Sequence, residues 1–319
     1  MSMNLSSSIR NILRFFVILI IRPYIVRELP GWGKLYAFFM LSRKCAWLWE
    51  DPLAKTIRGK LHGYLMDLDL SRWSDKMTFF LGRWHQIEIQ LFLLDMVKPE
   101  DTVVDIGANR GMFSLIASRL VGEEGKVLSF EPNPICYEVL DKCIAANEIK
   151  NITVNRFGLA DKLGKLTLTV PYHNWGEGTF GKSSYHDGNT YQVQADVKVG
   201  DDILKNEIPA FIKIDVEGFE NNVIAGLSLT LEQHHPVLIT EVVSKHLEAC
   251  GNSVQELMEL IEGHGYTGYT LSKKKQGFKY DWELVRFNLN ESAFDAIWLH
   301  PDALLKYQSI LKDHGINQP

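Results

Sequence analysis

The chain has 319 residues, of which 46% are hydrophobic and 23% charged, a balance that excludes a globally disordered protein. This length accommodates one large α/β domain with an appended segment. The net charge of −5 is unevenly distributed, because residues 1–60 carry ten Lys/Arg and only three Asp/Glu. The remaining chain is therefore acidic, which argues against binding of nucleic acid, since such a body would repel a phosphate backbone.

The basic residues 1–60 are also strongly apolar, with the run ILRFFVILII at Ile12–Ile21. The stretch between Arg14 and Arg22 is too short to span a bilayer, which takes about 20 residues, and Pro23 follows at once. No small-x-small cleavage site marks a secretory signal. We interpret the segment either as an anchor on an anionic membrane surface or as an arm that packs on its own domain or on a second subunit.

Residues 61–319 are predicted to form a single domain. His62–Leu70 alternates like a strand, and Gln86–Val97 has the periodicity of a helix. The four cysteines form no C-x-x-C pair, so we interpret them as reduced thiols of a cytoplasmic protein rather than as disulfides or zinc ligands. They are Cys45, Cys136, Cys143 and Cys250.

The most informative run is TVVDIGANRG at Thr102–Gly111. It predicts a buried strand, a turn containing Gly107 and Gly111, and then a helix from Met112. Strand, glycine turn and helix together form a pocket for a nucleotide-like ligand, because glycine permits close backbone approach and the helix N-terminus offers free N–H groups. The spacing differs from the G-x-G-x-x-G of dinucleotide-binding folds.

A second strand, Val127–Phe130, ends at Glu131. A carboxylate about 20 residues after the glycine loop is placed to accept hydrogen bonds from ribose hydroxyls. The alternative is an exposed acid at a strand end. The alternation of strands and helices from Val103 to Phe157 predicts a mostly parallel sheet with helices on both faces.

The alternation then breaks, and two strands, Lys165–Val170 and Tyr191–Val199, indicate a hairpin-like insertion. Its loop, Pro171–Thr190, is rich in glycine and aromatic residues, as in binding loops or lids, although a surface loop without ligand contacts remains an alternative. The sheet resumes with Ala210–Ile214 and Val237–Glu241, and later strands are expected to form an antiparallel pair.

Two carboxylates, Asp215 and Glu217, follow the strand Ala210–Ile214. Acids buried without partners would cost several kcal/mol, which disfavours a passive core role. Glu217 could instead favour the positive end of the following helix, an explanation that suits Asp215 less well. We therefore expect both carboxylates to lie at the mouth of the ligand pocket.

These segments together resemble the FkbM family of S-adenosylmethionine (SAM)-dependent methyltransferases. The matching motifs are VVDIGANRG, FEPN and IKIDVEGFE, in this order, and the resemblance covers roughly residues 60–300. It implies a Rossmann-like, doubly wound class I methyltransferase fold, mostly parallel with an antiparallel C-terminal strand. It also implies methyl transfer from SAM, usually to a hydroxyl on a sugar, a glycolipid or a related natural product. Residues 1–60 are expected to add an N-terminal helical extension.

The resemblance and the motif positions together assign the candidate site residues. An adenine contact at Asp161 rests on the resemblance alone, and a turn acid is its alternative. The cofactor-binding candidates are Asp105, Gly107, Ala108, Asn109, Gly111, Glu131, Asn133, Asp161 and Asp215.

A hydroxyl acceptor has a high pKa, so a base or a metal should take its proton. The catalytic candidates are Glu217 first, then Asp215, with His186 or His173 from the loop. No dedicated set of metal ligands is evident, and none is predicted.

Other functions are less consistent with the sequence. A nucleic-acid methyltransferase would carry an N/D-P-P-Y-type motif where this chain has DVEG. A scaffold that binds SAM without transferring its methyl group remains the alternative. We expect a cytoplasmic enzyme, peripheral at the membrane surface if residues 1–60 bind lipid.

Overall fold

The computed structural model describes residues 7–172, 174–182, 189–276, 279–287 and 292–316. The chain divides into two compact units, Met1–Ile87 and Glu88–Pro319. The domain boundary predicted at residue 60 stays a prediction. Within the described residues, none of the helices combines the length and the apolar character needed to cross a membrane.

The first unit combines short helices with a two-stranded antiparallel sheet. Its regular elements are α1 (Ser7–Phe16), α2 (Arg22–Val26), α3 (Trp32–Tyr36), β1 (Ala54–Arg58), β2 (Leu65–Asp69) and α4 (Trp73–Leu81). π-Helical turns at Val17–Ile21 and Ala37–Leu41 continue α1 and α3, and a 3₁₀-helix covers Arg43–Trp49. Strand β2 confirms the predicted alternation, since Met66 and Leu68 are buried between more exposed residues.

The second unit contains eleven strands and ten helices among its described residues. The strands are β3 (Thr102–Ile106), β4 (Lys126–Phe130), β5 (Ile152–Asn155), β6 (Gly158–Ala160), β7 (Gly164–Pro171), β8 (Thr190–Val199), β9 (Pro209–Ile214), β10 (Val237–Val243), β11 (Thr267–Gln276), β12 (Lys279–Arg286) and β13 (Ala293–Leu299). The helices are α5 (Ile87–Met96), α6 (Met112–Val121), α7 (Pro134–Ala146), α8 (Gly200–Leu204), α9 (Glu220–Ala225), α10 (Ser228–His234), α11 (Ser244–Ala249), α12 (Val254–Glu262), α13 (Pro301–Lys306) and α14 (Gln308–Asp313).

Eight of these strands form one sheet in the order β12-β11-β13-β10-β9-β3-β4-β5. The strands from β10 to β5 pair in parallel, whereas β13 runs antiparallel to both β10 and β11. This order confirms the predicted class I, Rossmann-like architecture. Strand β12 is an additional edge strand that the sequence analysis missed, although Trp282 and Leu284 alternate with acidic residues as a strand requires.

The insertion after β5 forms a separate three-stranded sheet in the order β6-β8-β7. Its antiparallel β7–β8 pair confirms the predicted hairpin. The main sheet is covered by apolar side chains, and Val103, Val104 and Ile106 of β3 are all buried. Because parallel strands end at one edge of the sheet, the loops after β3, β4, β9 and β10 are gathered there, which is where an open α/β sheet binds its ligand.

Candidate functional site

The loop after β3 is fixed by backbone contacts to the neighbouring strand ends. The N–H groups of Gly107 and Ala108 both donate to the Phe130 carbonyl at 3.0 Å, and the Asp215 N–H donates to the Ile106 carbonyl at 3.0 Å. Gly107 has a φ of +79°, and a Cβ there would lie 1.8 Å from the Asp215 carbonyl oxygen. Only glycine allows this close approach between the two loops.

Asn109 and Gly111 continue the turn in the left-handed region, with φ values of +51° and +84°. Asparagine tolerates this conformation better than most residues, which explains how it can stand in a glycine-rich loop. The Asn109 Oδ1 atom is buried without a hydrogen-bond partner among the described residues. Gly111 then precedes the first turn of α6.

Glu131 is held at the end of β4 by two backbone groups. Its Oε2 accepts a hydrogen bond from the Asn109 N–H at 2.7 Å, and its Oε1 accepts one from the Asn133 N–H at 2.8 Å. Burial raises the pKa of Glu131 to about 7. Each carboxylate oxygen keeps acceptor capacity for a hydroxyl, as the predicted ribose role requires. The Asn133 side chain caps α7 by accepting from the Ile135 N–H.

Asp105 is fully buried and takes part in a network of charges below the loop. Its carboxylate accepts a hydrogen bond from the Ser114 hydroxyl and lies 3.7 Å from the Lys213 ammonium. Lys213 also bonds Asp215 at 2.9 Å. Although burial opposes the charged form of Lys213, Asp215 and Asp105 together raise its pKa. Lys213, which was not among the candidate site residues, therefore links the carboxylates of Asp105 and Asp215.

Asp161 follows β6 directly and contacts α9. Its carboxylate accepts a hydrogen bond from the Asn222 side-chain amide at 3.3 Å and lies 3.4 Å from the Lys162 ammonium. The predicted adenine contact of Asp161 therefore stays a prediction.

Glu217, which follows β9, lies beside a histidine that no sequence motif indicated. Its Oε2 is 2.8 Å from Nδ1 of His246, on α11 just after β10. Burial raises the pKa of Glu217, whereas the Glu217 carboxylate, as the hydrogen-bond acceptor, raises the pKa of His246. Glu241 lies at the same corner, and Asp215, followed by burial, raises its pKa to about 10. Several acids thus converge where β9 and β10 end.

The carboxylates of Glu217 and Glu241 and the imidazole of His246 have ligand atoms within 4.8 Å of one another. Two carboxylates and one imidazole are a donor set that a divalent cation can use. Of these atoms, Oε2 of Glu217 and Nδ1 of His246, 2.8 Å apart, are also close enough to share a proton. Hydroxyl deprotonation by these residues themselves is therefore compatible with this geometry.

The segment after β7 contacts both halves of the site. The Asn133 side-chain amide donates to the Trp175 carbonyl at 2.9 Å, and the Thr179 hydroxyl donates to the Glu217 carbonyl at 2.9 Å. Phe180, considered above as part of a binding loop, packs edge-on against Phe219 with ring centroids 5.1 Å apart. The candidates His173 and His186 lie outside the described residues.

Comparison with known proteins identifies the class to which this site belongs. Residues 105–267, more than half of the chain, match the Methyltransferase FkbM domain. The chain therefore belongs to the FkbM methyltransferase family, as the motifs indicated, and the sheet order is that of a methyltransferase fold.

Individual relatives extend this comparison. The chain is 29% identical over 194 residues to methyltransferase sdnD of Sordaria araneosa, an alignment that covers 51% of this chain and 73% of that protein. The solved FkbM methyltransferase of Methylobacillus flagellatus KT has 15% identity and a TM-score of 0.39, over 86% of this chain and 62% of its own. The precorrin-6y C5,15-methyltransferase of Geobacter metallireducens GS-15 has 15% identity and a TM-score of 0.40, over 68% and 88%.

Proposed function

We propose that this methyltransferase uses SAM to methylate a hydroxyl oxygen on a sugar, a glycolipid or a related natural product. The observation that carries the proposal is the Glu217–His246 pair, 2.8 Å apart. His246 lies on α11, and Glu217 lies on the loop after β9, whose first residue, Asp215, lies against Gly107 of the cofactor loop (residues 107–111). A pair that can accept a proton is thus linked, through Asp215, to the loop that is expected to hold the methyl donor. Hydroxyl acceptors need such a base, because their protons are weakly acidic.

The cofactor-loop residues suit SAM on three counts. Glu131 presents a buried carboxylate to a ribose, Gly107 and Gly111 allow close backbone approach, and the buried Oδ1 of Asn109 still has acceptor capacity. Asn133 lies next to these residues, because its backbone N–H donates to the Glu131 carboxylate. When bound, SAM supplies a methyl group on a sulfonium centre that is ready for in-line displacement.

Proton removal is assigned to the Glu217–His246 pair. A carboxylate at Nδ1 orients an imidazole and stabilises its protonated form, so the pair acts as one acceptor with shared apparent pKa values. Asp215 is the weaker candidate for the base, because its carboxylate is already bonded to the Lys213 ammonium. Asp215 instead joins the two halves of the site through its backbone contacts with Ile106 and Gly107.

The segment after β7 supports a sugar-like acceptor. Tyr172 is 56% exposed and lies 5.2 Å from Tyr191 between ring centroids, so an aromatic face is available next to Asn133, which Tyr191 contacts. Aromatic faces stack on the apolar faces of sugar rings, and nearby amides provide hydrogen bonds.

Transfer of label from methyl-tritiated SAM into a cell extract tests the proposal. Radioactivity should enter a lipid-phase or an aqueous-phase acceptor and withstand mild alkali, because methyl ethers survive treatment that hydrolyses methyl esters. Alkali-labile label would contradict O-methylation of a hydroxyl. Binding of SAM without transfer to any acceptor would favour the scaffold alternative.

A further inference from the structure

Helix α1 of the first unit has its polar and apolar sides reversed. Ile12 and Phe15 are each 67% exposed, whereas Arg14 is only 6% exposed. The Arg14 guanidinium is buried on backbone acceptors, with Nε donating to the Leu48 carbonyl and Nη2 donating to the Asp51 carbonyl at 3.1 Å. A helix that faces water buries its apolar side chains and exposes its charges, so this helix is not arranged for an aqueous surface.

The outward apolar side chains continue beyond α1. Of the nineteen large hydrophobic side chains that are exposed in the described chain, ten lie between residues 9 and 41. Such a concentration marks an interaction surface, since isolated exposed apolar residues are ordinary but a cluster of them is not. We name this cluster the outward apolar surface, and it consists of Ile9, Ile12, Leu13, Phe15, Phe16, Leu19, Ile20, Leu29, Phe38 and Leu41.

The exposed charges of the same segment have one sign. Arg27, Lys34, Arg43 and Lys44 are exposed. The one acid between residues 9 and 44 is Glu28, whose carboxylate is paired with Lys60 and Arg83 at 3.0 and 3.1 Å. Basic side chains beside an apolar surface complement anionic lipid headgroups.

We propose that the outward apolar surface binds an anionic membrane surface, with α1 lying in the plane of the lipid interface. The exposed side chains of α1 would enter the boundary between headgroups and acyl chains, while Lys34 and Lys44 contact phosphates. A symmetric contact with a second copy of this chain is less favourable, because it would bring like charges together. The proposal does not depend on the identity of the methyl acceptor.

Flotation of the full-length protein with liposomes tests this proposal. Vesicles of phosphatidylglycerol and phosphatidylcholine are compared with pure phosphatidylcholine at low and high salt. The protein should float with the anionic vesicles at low salt and dissociate as salt screens the charges. Lys34→Glu with Lys44→Glu should weaken binding about thirtyfold, because each basic residue near the surface contributes about fivefold.

The apolar contribution is tested by Ile12→Ser with Phe15→Ser, which should weaken binding roughly tenfold or more through lost burial of apolar area. The matched control is Leu163→Ser with Leu305→Ser, two side chains that are 78% and 63% exposed in the second unit. The control should bind like the unmodified protein. Because all four side chains are exposed, the substitutions should leave the fold intact, which circular dichroism checks.

Two outcomes would overturn the proposal. One is equal flotation of the Ile12/Phe15 variant and its control. The other is no flotation of the unmodified protein together with a dimer, seen by light scattering, that the Ile12/Phe15 variant abolishes. The second outcome would assign the surface to a second copy of this chain.

Discussion

Glu131 and Glu217 are both acids that follow a parallel strand, but the fold holds them by different means. The partners of Glu131 are the backbone N–H groups of Asn109 and Asn133, whereas the side-chain partner of Glu217 is the imidazole of His246. Backbone donors do not titrate, and their positions are set by the turns that carry them. An imidazole gains or loses a proton near neutral pH. This difference accords with the roles proposed above, in which Glu131 binds SAM and Glu217 takes part in proton transfer.

The two ends of the site meet through one residue. Gly107 lies in the loop after β3, yet its Cα faces the Asp215 carbonyl at the start of the loop after β9. A change at Gly107 should therefore impair both SAM binding and turnover. A change at Glu131 should mainly affect SAM binding, and a change at Glu217 should mainly affect turnover.

The largest effect is expected for Gly107→Ala. A Cβ 1.8 Å from the Asp215 oxygen, at a φ of +79°, should lower the free energy of unfolding by about 3 kcal/mol. SAM affinity should fall roughly 100-fold or more as the loops separate. Calorimetric titration and thermal denaturation measure the two effects.

Gly63→Ala is the control for Gly107→Ala. Its φ is +77°, close to that of Gly107, but a Cβ there would have no neighbour within 4 Å, so only the backbone strain of about 1 kcal/mol should appear. Equal losses of unfolding free energy and of SAM affinity in the two variants would show that the contact between the loops contributes to neither.

The next largest effect is expected for Glu217→Gln. Loss of the carboxylate should lower turnover about 100-fold or more, the usual range for removal of a general base, while the SAM dissociation constant changes less than about twofold. Single-turnover kinetics and SAM titration separate the two quantities. Glu248→Gln on α11, where the acid is exposed, is the control and should retain full turnover. If Glu217→Gln kept its turnover, the base would have to lie elsewhere.

A smaller effect is expected for Glu131→Gln, which should weaken SAM binding about tenfold by losing a charged hydrogen-bond acceptor. The Glu131 pKa of about 7 lies above its ordinary 4.5, so the acceptor carboxylate forms as pH rises through 7. SAM affinity of the unmodified protein should therefore increase about fivefold from about pH 6 to about pH 8. In Glu131→Gln that pH dependence should vanish, and in the control Glu138→Gln it should persist.

Much of the second unit could be predicted because its signals are local. Short apolar runs that end in glycine or an acid define β3, β4 and β9, and each begins within one residue of its prediction. Strand β12 was missed because a short alternating run at a sheet edge carries a weak signal without knowledge of its partner.

The sequence by itself determined the turn after β3 and the placement of acids at the ends of β4 and β9. Positive φ angles favour glycine and asparagine, and strand ends can be recognised from periodicity. The tertiary structure decided which groups meet. His246 reaches Glu217 only because β10 runs parallel to β9, and Lys213 lies between Asp105 and Asp215 only because β3 and β9 are neighbours. It also decided that α1 buries an arginine and exposes its apolar residues, because burial depends on neighbours distant in sequence, such as Leu48.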